Sequence, residues 1–449
     1  MHPAIEAIRD ATIGTPFEGK VWLVGGAVRD ELLCKPHLND FDLVTTETAS
    51  DLAQLLYQKG VSQIFPVEYP RFGTAMVRVQ NTPIELVTAR RESYTEASRK
   101  PTVEPATLLE DAQRRDFTVN ALERNIYTGE LHDPVGCGLQ DLKDKILRTP
   151  LDPKATFYDD PLRMLRAVRF RWQLGFEPAP GLYESIKEEA ERLKIISAER
   201  IRDEFTKMLC LNTAPECMQD LLDLNLIHQF APEFESTVGF EQGNFHHLDV
   251  WGHTLLVLKN AGPGDLELSL ASLLHDIAKP NTMTVDENGR IRFFTHEVVG
   301  ADMARDILKR LRFPSDEIES VAKLIRNHMR LGSSKVFSAS AARRLVRDMG
   351  DQLETFLQLV QADRDAHKPG FIELDLDAIR ARIEEISLTT PRETLESPLS
   401  GNEIIQITGL PPGKKVGLIK QMLVEHVLDG TLNPDDKETA ARLVKEAGI

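Results

Sequence analysis

Two aspartates one residue apart, Asp40 and Asp42 in Asn39-Asp-Phe-Asp-Leu43, follow closely on a glycine pair in Leu23-Val-Gly-Gly-Ala-Val-Arg-Asp30. Alternate side chains of a strand point to opposite faces, so Asp40 and Asp42 project together while Phe41 and Leu43 enter the core. Two carboxylates on one face repel each other unless a cation sits between them. Oxygen ligands of this kind suit Mg²⁺, which takes one or two carboxylates plus substrate phosphates. Gly25 and Gly26 have no side chain to block a phosphate, and Ala27 to Leu33 reads as a helix whose N-terminus faces it. Arg29 adds a guanidinium fork for phosphate oxygens. Asp-x-Asp alone is a common surface turn with two solvated acids. Preceded by a strand, a glycine turn and a helix, it points to a metal-dependent nucleotide site. Glu85, on a later strand, is either a third carboxylate of that site or an ordinary strand residue.

A second chemical pattern is Tyr158-Asp-Asp-Pro-Leu-Arg-Met-Leu-Arg-Ala-Val-Arg-Phe170. Pro161 suits a first helical turn, where its missing N–H costs nothing. Steps of three place Asp160, Arg163, Arg166 and Arg169 on one drifting ridge, with Leu162, Leu165 and Val168 on another. A carboxylate accepts a hydrogen bond from the exocyclic amine of cytosine or adenine, and an arginine donates to ring or carbonyl acceptors. Uracil and guanine present a carbonyl where the amine would be, leaving buried groups unpaired. The ridge can therefore choose C and A with no nucleic-acid template. Taken alone it reads rather as a set of (i, i+3) ion pairs on an exposed helix; its place after the Asp-x-Asp site favours base selection.

The elements that carry these residues fall into four segments. Residues 1–150 mix strands (Val21 to Val24, Phe41 to Val44, Thr74 to Val79, Ile84 to Val87) with helices. Residues 151–235 turn helical, residues 236–370 are helical and rich in histidine, and residues 371–449 form a helical tail with a Pro-Pro-Gly turn at Pro411 to Gly413. The predicted class is α+β: a mixed-sheet head followed by a mostly α-helical neck, a third helical domain and a tail. The chain has 449 residues, 54 Lys plus Arg and 70 Asp plus Glu, a formal net charge of -16. Such a chain does not bind polyanions indiscriminately, so nucleic acid must meet a local basic face. Aromatic residues are only 6%, too few for a surface that stacks many bases. There is no run of apolar residues long enough for a membrane helix and no apolar secretory leader. The four cysteines, Cys34, Cys137, Cys210 and Cys217, are scattered and read as buried or incidental thiols of a cytoplasmic protein.

Adding Arg114-Arg-Asp-Phe-Thr-Val-Asn-Ala-Leu122 to the strand–glycine–Asp-x-Asp pattern, the chain closely resembles the bacterial (class II) CCA tRNA nucleotidyltransferases and their poly(A) polymerase relatives. The resemblance implies a polymerase-beta-like nucleotidyltransferase head in which Asp40 and Asp42 hold the catalytic Mg²⁺ ions for a two-metal transfer. It implies that Gly25, Gly26 and Arg29 meet the nucleotide, that Arg115, Asp116 and Asn120 hold its phosphate and ribose, and that tRNA, CTP and ATP are the partners. The family phrase at the selection helix is Glu-Asp-x-x-Arg; here Asp159 replaces the glutamate, while Asp160 and Arg163 are present. Ile196 to Phe205 continues the neck with a structural role. The polar stretch Arg90 to Leu109 reads as a mobile loop whose full length, in this family, accompanies addition of the terminal A.

His253, then His275-Asp276, then Asp363, with His296 and His328 between, resembles the HD phosphohydrolase superfamily, and some CCA-adding enzymes carry such a domain. That resemblance implies a metal site at His253, His275, Asp276 and Asp363, filled by a divalent transition metal. If active, it would open phosphoesters such as 2′,3′-cyclic or 2′-phosphates with metal-activated water. The plain alternative is a bundle that keeps these residues as polar core; His246 and His247 have no assignment. Recognition of tRNA would be of shape and backbone, through Arg343, Arg344 and Arg347 or through Lys414, Lys415 and Lys420. The rival functions are a poly(A) polymerase, against which the charge of -16 weighs, and an HD phosphohydrolase with a non-catalytic head. A silent tRNA-binding protein is disfavoured by the paired acids.

Overall fold

A computed structural model of the chain describes residues 1–35, 41–95, 98–243, 248–331, 337–368, 375–389 and 391–447, with backbone only at 92–103, 389 and 393. Asp40, His246 and His247 lie outside the described residues. Two compact units, residues 1–232 and 233–449, are each described by themselves.

The first unit is built on a seven-stranded mixed sheet. In chain order its strands are β1 (Val21–Val24), β2 (Phe41–Thr45), β3 (Val67–Tyr69), β4 (Thr74–Val79) and β5 (Thr82–Thr88). Then come β6 (Arg90–Thr95) and β7 (Ser98–Pro105), which form a separate ribbon, and β8 (Glu123–Asn125) and β9 (Leu131–His132), which rejoin the sheet. Its order is β3-β4-β5-β2-β1-β8-β9; β2 and β5 run parallel and every other pairing is antiparallel. The strand expected at Ile84 to Val87 is longer, because Gln80 and Asn81 at φ 48° and 64° make a tight hairpin that pairs Val79 with Thr82, as the twist of two-residue turns requires. Of the apolar residues of β1 and β2, Val21, Leu23, Val24, Phe41, Leu43 and Val44 are buried and Trp22 is half-buried.

Within the stretch expected to be a mobile loop, Arg90 to Leu109, the described residues form the two-stranded antiparallel β6–β7 ribbon and the start of the helix Leu108–Gln113. A cross-strand ion pair of Arg91 with Glu104, 2.6 Å, and a capping box between Thr107 and Glu110 organise this polar segment; charge pairing and a helix cap do here what apolar alternation does elsewhere.

Past the head, helices dominate: Pro153–Asp159, Leu162–Leu174, Leu182–Glu189, Ala198–Leu209 and Ala214–Asp223. Pro161 precedes the second of these and Gly175, at φ 71°, ends it in the left-handed conformation that favours glycine. Its ridge of Leu162, Leu165 and Val168 is buried, and the rings of Phe170 and Phe117 meet edge to face at 5.8 Å. The second unit is helical apart from a pair of two-residue strands, among the described residues. The chain is thus α+β, and no described helix is long and apolar enough to cross a membrane.

Candidate functional site

The end of β1 runs into Gly25, at φ 73°, and Gly26 opens the helix Gly26–Leu32. Register places Asp42 directly across from Val24 on one side and Glu85 on the other, so Glu85 shares a sheet face with Asp42. A Cβ at Gly25 would stand 3.6 Å from Asp42 Oδ2 and 3.5 Å from Arg115 Nη1. A side chain there would both strain a left-handed backbone and fill the gap between a carboxylate and a guanidinium. At Gly26 the Cβ would meet Arg29 Nη2 at 3.4 Å.

A cleft of about 820 Å³ opens from this turn. It is lined by Gly25, Gly26, Arg29, Asp42, Arg115, Asp116, Asn120, Asp160, Arg163, Arg166 and Arg169; of the head and neck site residues singled out from the sequence, Glu85 is not in its lining and Asp40 lies outside the described residues.

Behind the lining runs a continuous polar relay. Arg29, buried, donates to Asn120 Oδ1 at 2.5 Å and to both oxygens of Asp30 at 2.8 and 2.9 Å. The Asn120 amide donates to Asp116 Oδ1 at 2.9 Å, and Arg166 donates to Asp116 Oδ2 at 2.6 and 2.9 Å. Burial alone would raise the Asp116 carboxyl; the Arg166 guanidinium and the Asn120 amide outweigh it and hold it down at about 2. Arg115 and Arg114 both pair with fully buried Asp111, at 3.1 and 2.7 Å. Arg169 donates to Glu204 at 2.6 Å, and Glu204 also lies 3.4 Å from Arg166. Arginines 166 and 169, on the predicted selection ridge, thus face the cleft with their guanidinium groups already held by acids.

Asp160 accepts from the Leu162 N–H at 3.2 Å through Oδ1 and from Arg200 at 3.1 Å through Oδ2. Arg163 donates to the main-chain oxygens of Arg114 and Thr156. The sequence reading missed Asp111, and it gave Arg200 and Glu204, within Ile196 to Phe205, a structural role without their partners. Glu204 carried one usable signal: it sits beside Phe205 on the buried stripe of Ile201, Phe205 and Met208, where a carboxylate needs a partner.

Of the cationic clusters, Arg343 donates to the Leu428 carbonyl at 2.7 Å, Arg344 pairs with Glu425 and Asp429 at 2.7 and 2.9 Å, and Arg347 with Asp348 at 2.8 Å. Arg343 and Arg344 thereby tie the helix Ala339–Met349 to the helix Lys414–Asp429. Lys414, Lys415 and Lys420 are exposed.

In the second unit, His253 lies on the helix Val250–Ala261, His275 and Asp276 follow the helix Leu266–Leu274, and His296 begins the helix His296–Arg310. His328 follows the helix Ser315–Asn327, and Asp363 lies on the helix Leu353–Asp365. All but Asp363 are almost wholly buried. The ligand atoms of His253, His275 and Asp363 lie within 4.8 Å of one another, as do those of Asp276, His296 and His328. Imidazoles and carboxylates converging in a dry interior are a donor set that suits a divalent transition metal. Burial and the neighbouring His275 push His328 down to about 4.

Residues 21–148 match the family described as "Poly A polymerase head domain", residues 175–237 "Probable RNA and SrmB- binding site of polymerase A", and residues 246–368 "HD domain". The A-adding tRNA nucleotidyltransferase of Deinococcus radiodurans is 33% identical over 91% of this chain and 92% of its own. The chain belongs to the bacterial tRNA nucleotidyltransferase family. The CC-adding tRNA nucleotidyltransferase of Thermus thermophilus is 31% identical, over 95% of this chain and 93% of its own. In fold, the chain is similar over its whole length to the Bacillus stearothermophilus CCA-adding enzyme in complex with CTP, with TM-score 0.73, 22% identity and 98% of that chain covered. Enzymes of this family are divalent-metal-dependent nucleotidyltransferases.

Proposed function

We propose that this chain adds CCA, or its terminal A, to the 3′ end of tRNA from CTP and ATP, in the cytoplasm, with Asp40 and Asp42 holding Mg²⁺. Residues 1–150 serve as the head, 151–235 as the neck that selects the nucleotide and binds RNA, 236–370 as an HD-type domain and 371–449 as the tail. The observation that carries this reading is a single cleft in which Asp42 and the Gly25–Gly26 turn share a wall with Arg115, while Asp160 lines another part of it.

In the reaction the RNA 3′-oxygen bonds to the α-phosphorus, the bond from that phosphorus to the bridging oxygen breaks, and pyrophosphate leaves; the hydroxyl proton passes to solvent. Bound Mg²⁺ supplies neutralisation of the oxygens whose charge grows. The chain's own residues orient. Gly25 and Gly26 let the triphosphate approach the main chain, Arg29 and Arg115 bind its oxygens, and Asn120 and Asp116 hold the ribose side. Arg166 and Arg169 wall the pocket in which Asp160 and Arg163 pair with the edge of C or A. The length of the segment Arg90 to Leu109 in the sequence favours a reading that includes the terminal A.

The test is incubation of the full chain with tRNA lacking its 3′ end and single labelled nucleotides. Ordered C, C, A addition supports CCA synthesis; A alone onto tRNA ending in CC narrows it; long A tails on unrelated RNA indicate a poly(A) polymerase. Asp42→Ala should abolish incorporation and leave tRNA binding intact, and wild-type incorporation by that variant refutes the metal role.

The buried histidine cluster supports a second activity: a metal-dependent phosphohydrolase at His253, His275, Asp276 and Asp363, acting on phosphoesters at RNA ends such as 2′,3′-cyclic or 2′-phosphates.

A further inference from the structure

Glu123 has no part in the mechanism above, yet it is an acid in the interior of the head. On β8 it lies directly across from Val24 on one side and from His132 on the other. Val24 in turn faces Asp42, and Asp42 faces Glu85. Glu85, Asp42, Val24, Glu123 and His132 therefore form one row across β5, β2, β1, β8 and β9, on a single face of the sheet. The row passes beside the glycine turn, because Gly25 follows Val24, and there Arg115 Nη1 stands 3.5 Å from where a Cβ would be. Glu123 is fully buried and does not line the cleft. It sits behind the wall that Arg115 presents.

Two complementary polar atoms are buried here without a hydrogen bond, the acceptor Glu123 Oε1 and the donor Arg115 Nε. The rest of each group is engaged. Arg115 Nη2 lies 3.1 Å from Asp111 Oδ2, and Glu123 Oε2 lies 3.2 Å from His132 Nδ1. The His132 side chain is half-exposed, so it gives the buried acid a route to solvent for a proton. Burial pushes the Glu123 carboxyl up to about 7. Among the described residues, the charged and titratable groups that face it are His132 and Arg115, which favour its ionised form, and Asp111, which opposes it. Arg124, on the opposite face of β8, turns to Glu31 at 3.3 Å.

We propose that Glu123 is a positioning residue for nucleotide binding, setting from behind the wall how much of the Arg115 guanidinium is left for the triphosphate. This rests on the reading of Arg115 as a triphosphate ligand and deepens it. With Glu123 protonated, Arg114 and Arg115 share the single charge of Asp111, and the pair stays cationic toward the cleft. With Glu123 ionised, a second buried carboxylate stands against the same pair, and its Oε1 accepts from Arg115 Nε. Both the charge and the direction of the guanidinium are then drawn away from the Gly25 turn. Triphosphate and ionised acid compete for one arginine. A bound triphosphate takes away an attraction that favours the ionised acid and adds negative charge nearby, so nucleotide binding near pH 7 draws a proton from solvent onto Glu123.

The test is steady-state addition of C or A by the full chain to tRNA shortened at its 3′ end, with KM for the nucleotide and kcat measured from pH 6 to 8.5 at saturating Mg²⁺. In the wild type KM should rise about tenfold across that range, as a one-unit upward displacement of the Glu123 titration in the nucleotide complex requires. Glu123→Gln, neutral at every pH, should hold the low KM throughout, the difference from wild type being confined to KM. His132→Ala removes a group that favours the ionised acid and should move the rise in KM to higher pH. Wild-type and Glu123→Gln KM profiles that superimpose overturn the proposal, as does a difference confined to kcat. Arg115→Gln separates the coupling from the reading beneath it. A wild-type KM in that variant refutes the ligand role of Arg115 itself, whereas a raised KM there, with the other two profiles superimposed, refutes only the action of Glu123. Should the Arg115 variant fail to fold, calorimetry of Mg²⁺-nucleotide binding at pH 7.5, in two buffers of different ionisation enthalpy, decides the matter. The wild type should take up more protons than Glu123→Gln, and equal uptake overturns the proposal.

Discussion

Asp116→Asn attacks the middle of the relay that joins the neck helix to the nucleotide cleft. Asp116 receives Arg166 on one oxygen and Asn120 on the other, and Asn120 in turn receives Arg29. Its carboxyl is held at about 2, against 3.8 for a free one. A lowered carboxyl contributes stability that is complete above the unfolded value and is lost as pH falls through the folded one. Asp116 therefore contributes its full share at every pH above about 4. At about 1.4 kcal/mol per unit, the gap amounts to ~2.5 kcal/mol. Removing the charge also leaves the Arg166 guanidinium with Glu204 alone, 3.4 Å away, so the loss should lie between ~2.5 kcal/mol and the ~3–5 kcal/mol of a broken buried pair. Urea denaturation at pH 5, 7 and 8 should give the same loss at all three. With its anchor weakened, Asn120 no longer fixes Arg29, and KM for CTP and for ATP should rise together, about tenfold for ~1.4 kcal/mol of lost positioning. A variant as stable as wild type, or a loss that grows between pH 5 and 8, refutes the electrostatic reasoning; unchanged KM values with the stability loss refute the link to Arg29.

Glu123 is the opposite case: fully buried on β8, bonded at 3.2 Å to His132 through Oε2, with Oε1 making no hydrogen bond. Burial pushes its carboxyl from 4.5 up to about 7, with His132 and Arg115 only partly opposing. The folded chain then holds a proton the unfolded chain has released between pH 4.5 and 7, so stability falls across that window. Glu123→Gln should leave stability unchanged at pH 4.5 and raise it by ~3 kcal/mol at pH 8, read from urea midpoints; an equal effect at both pH values contradicts the buried-acid assignment. Asp160→Ala should relax the choice of C and A more than it slows transfer, measured as misincorporation of UTP and GTP, and unchanged exclusion of both disproves base selection by that carboxylate.

The sheet strands and the selection helix were legible because they are local: an apolar run before a glycine pair, a proline before a helix, buried leucines at helical spacing. The segment Arg90 to Leu109 was not, since its ribbon is organised by Arg91 with Glu104 and by the Thr107 cap, which alternation of apolar residues does not reveal. In the cleft, residue types and spacing led to Asp42, Arg29 and Asp160, and the resemblance led to Arg115, Asp116 and Asn120. Arg115 and Asp116 are held partly by near neighbours, Asp111 and Asn120, but the supports of the selection helix come from elsewhere in the chain. Arg200 reaches Asp160 across 40 residues and Glu204 reaches Arg169 across 35. Periodicity within one helix says nothing of which neighbouring helix supplies the counter-charge. The same limit hid the partners of Arg343 and Arg344, which are Leu428, Glu425 and Asp429 on another helix.

These pairings explain how an acidic chain can present a site for a polyanion. Among the described residues that line the cleft, eight are basic and four acidic, although the chain as a whole carries -16. Free arginines in such density would repel one another and swing outward. Here Asp111 lies behind Arg114 and Arg115, Asp116 beside Arg166, and Glu204 between Arg166 and Arg169. The buried acids cancel the mutual repulsion of the guanidinium groups and lock their directions, while the faces toward the cleft remain cationic. A triphosphate entering it would meet donors already oriented, so little reorganisation remains for the moment of transfer. On this view the acids behind the wall matter to catalysis as much as the arginines in front of it. Glu204, which touches neither nucleotide nor RNA in the proposed mechanism, fixes the directions of two arginines that line the cleft.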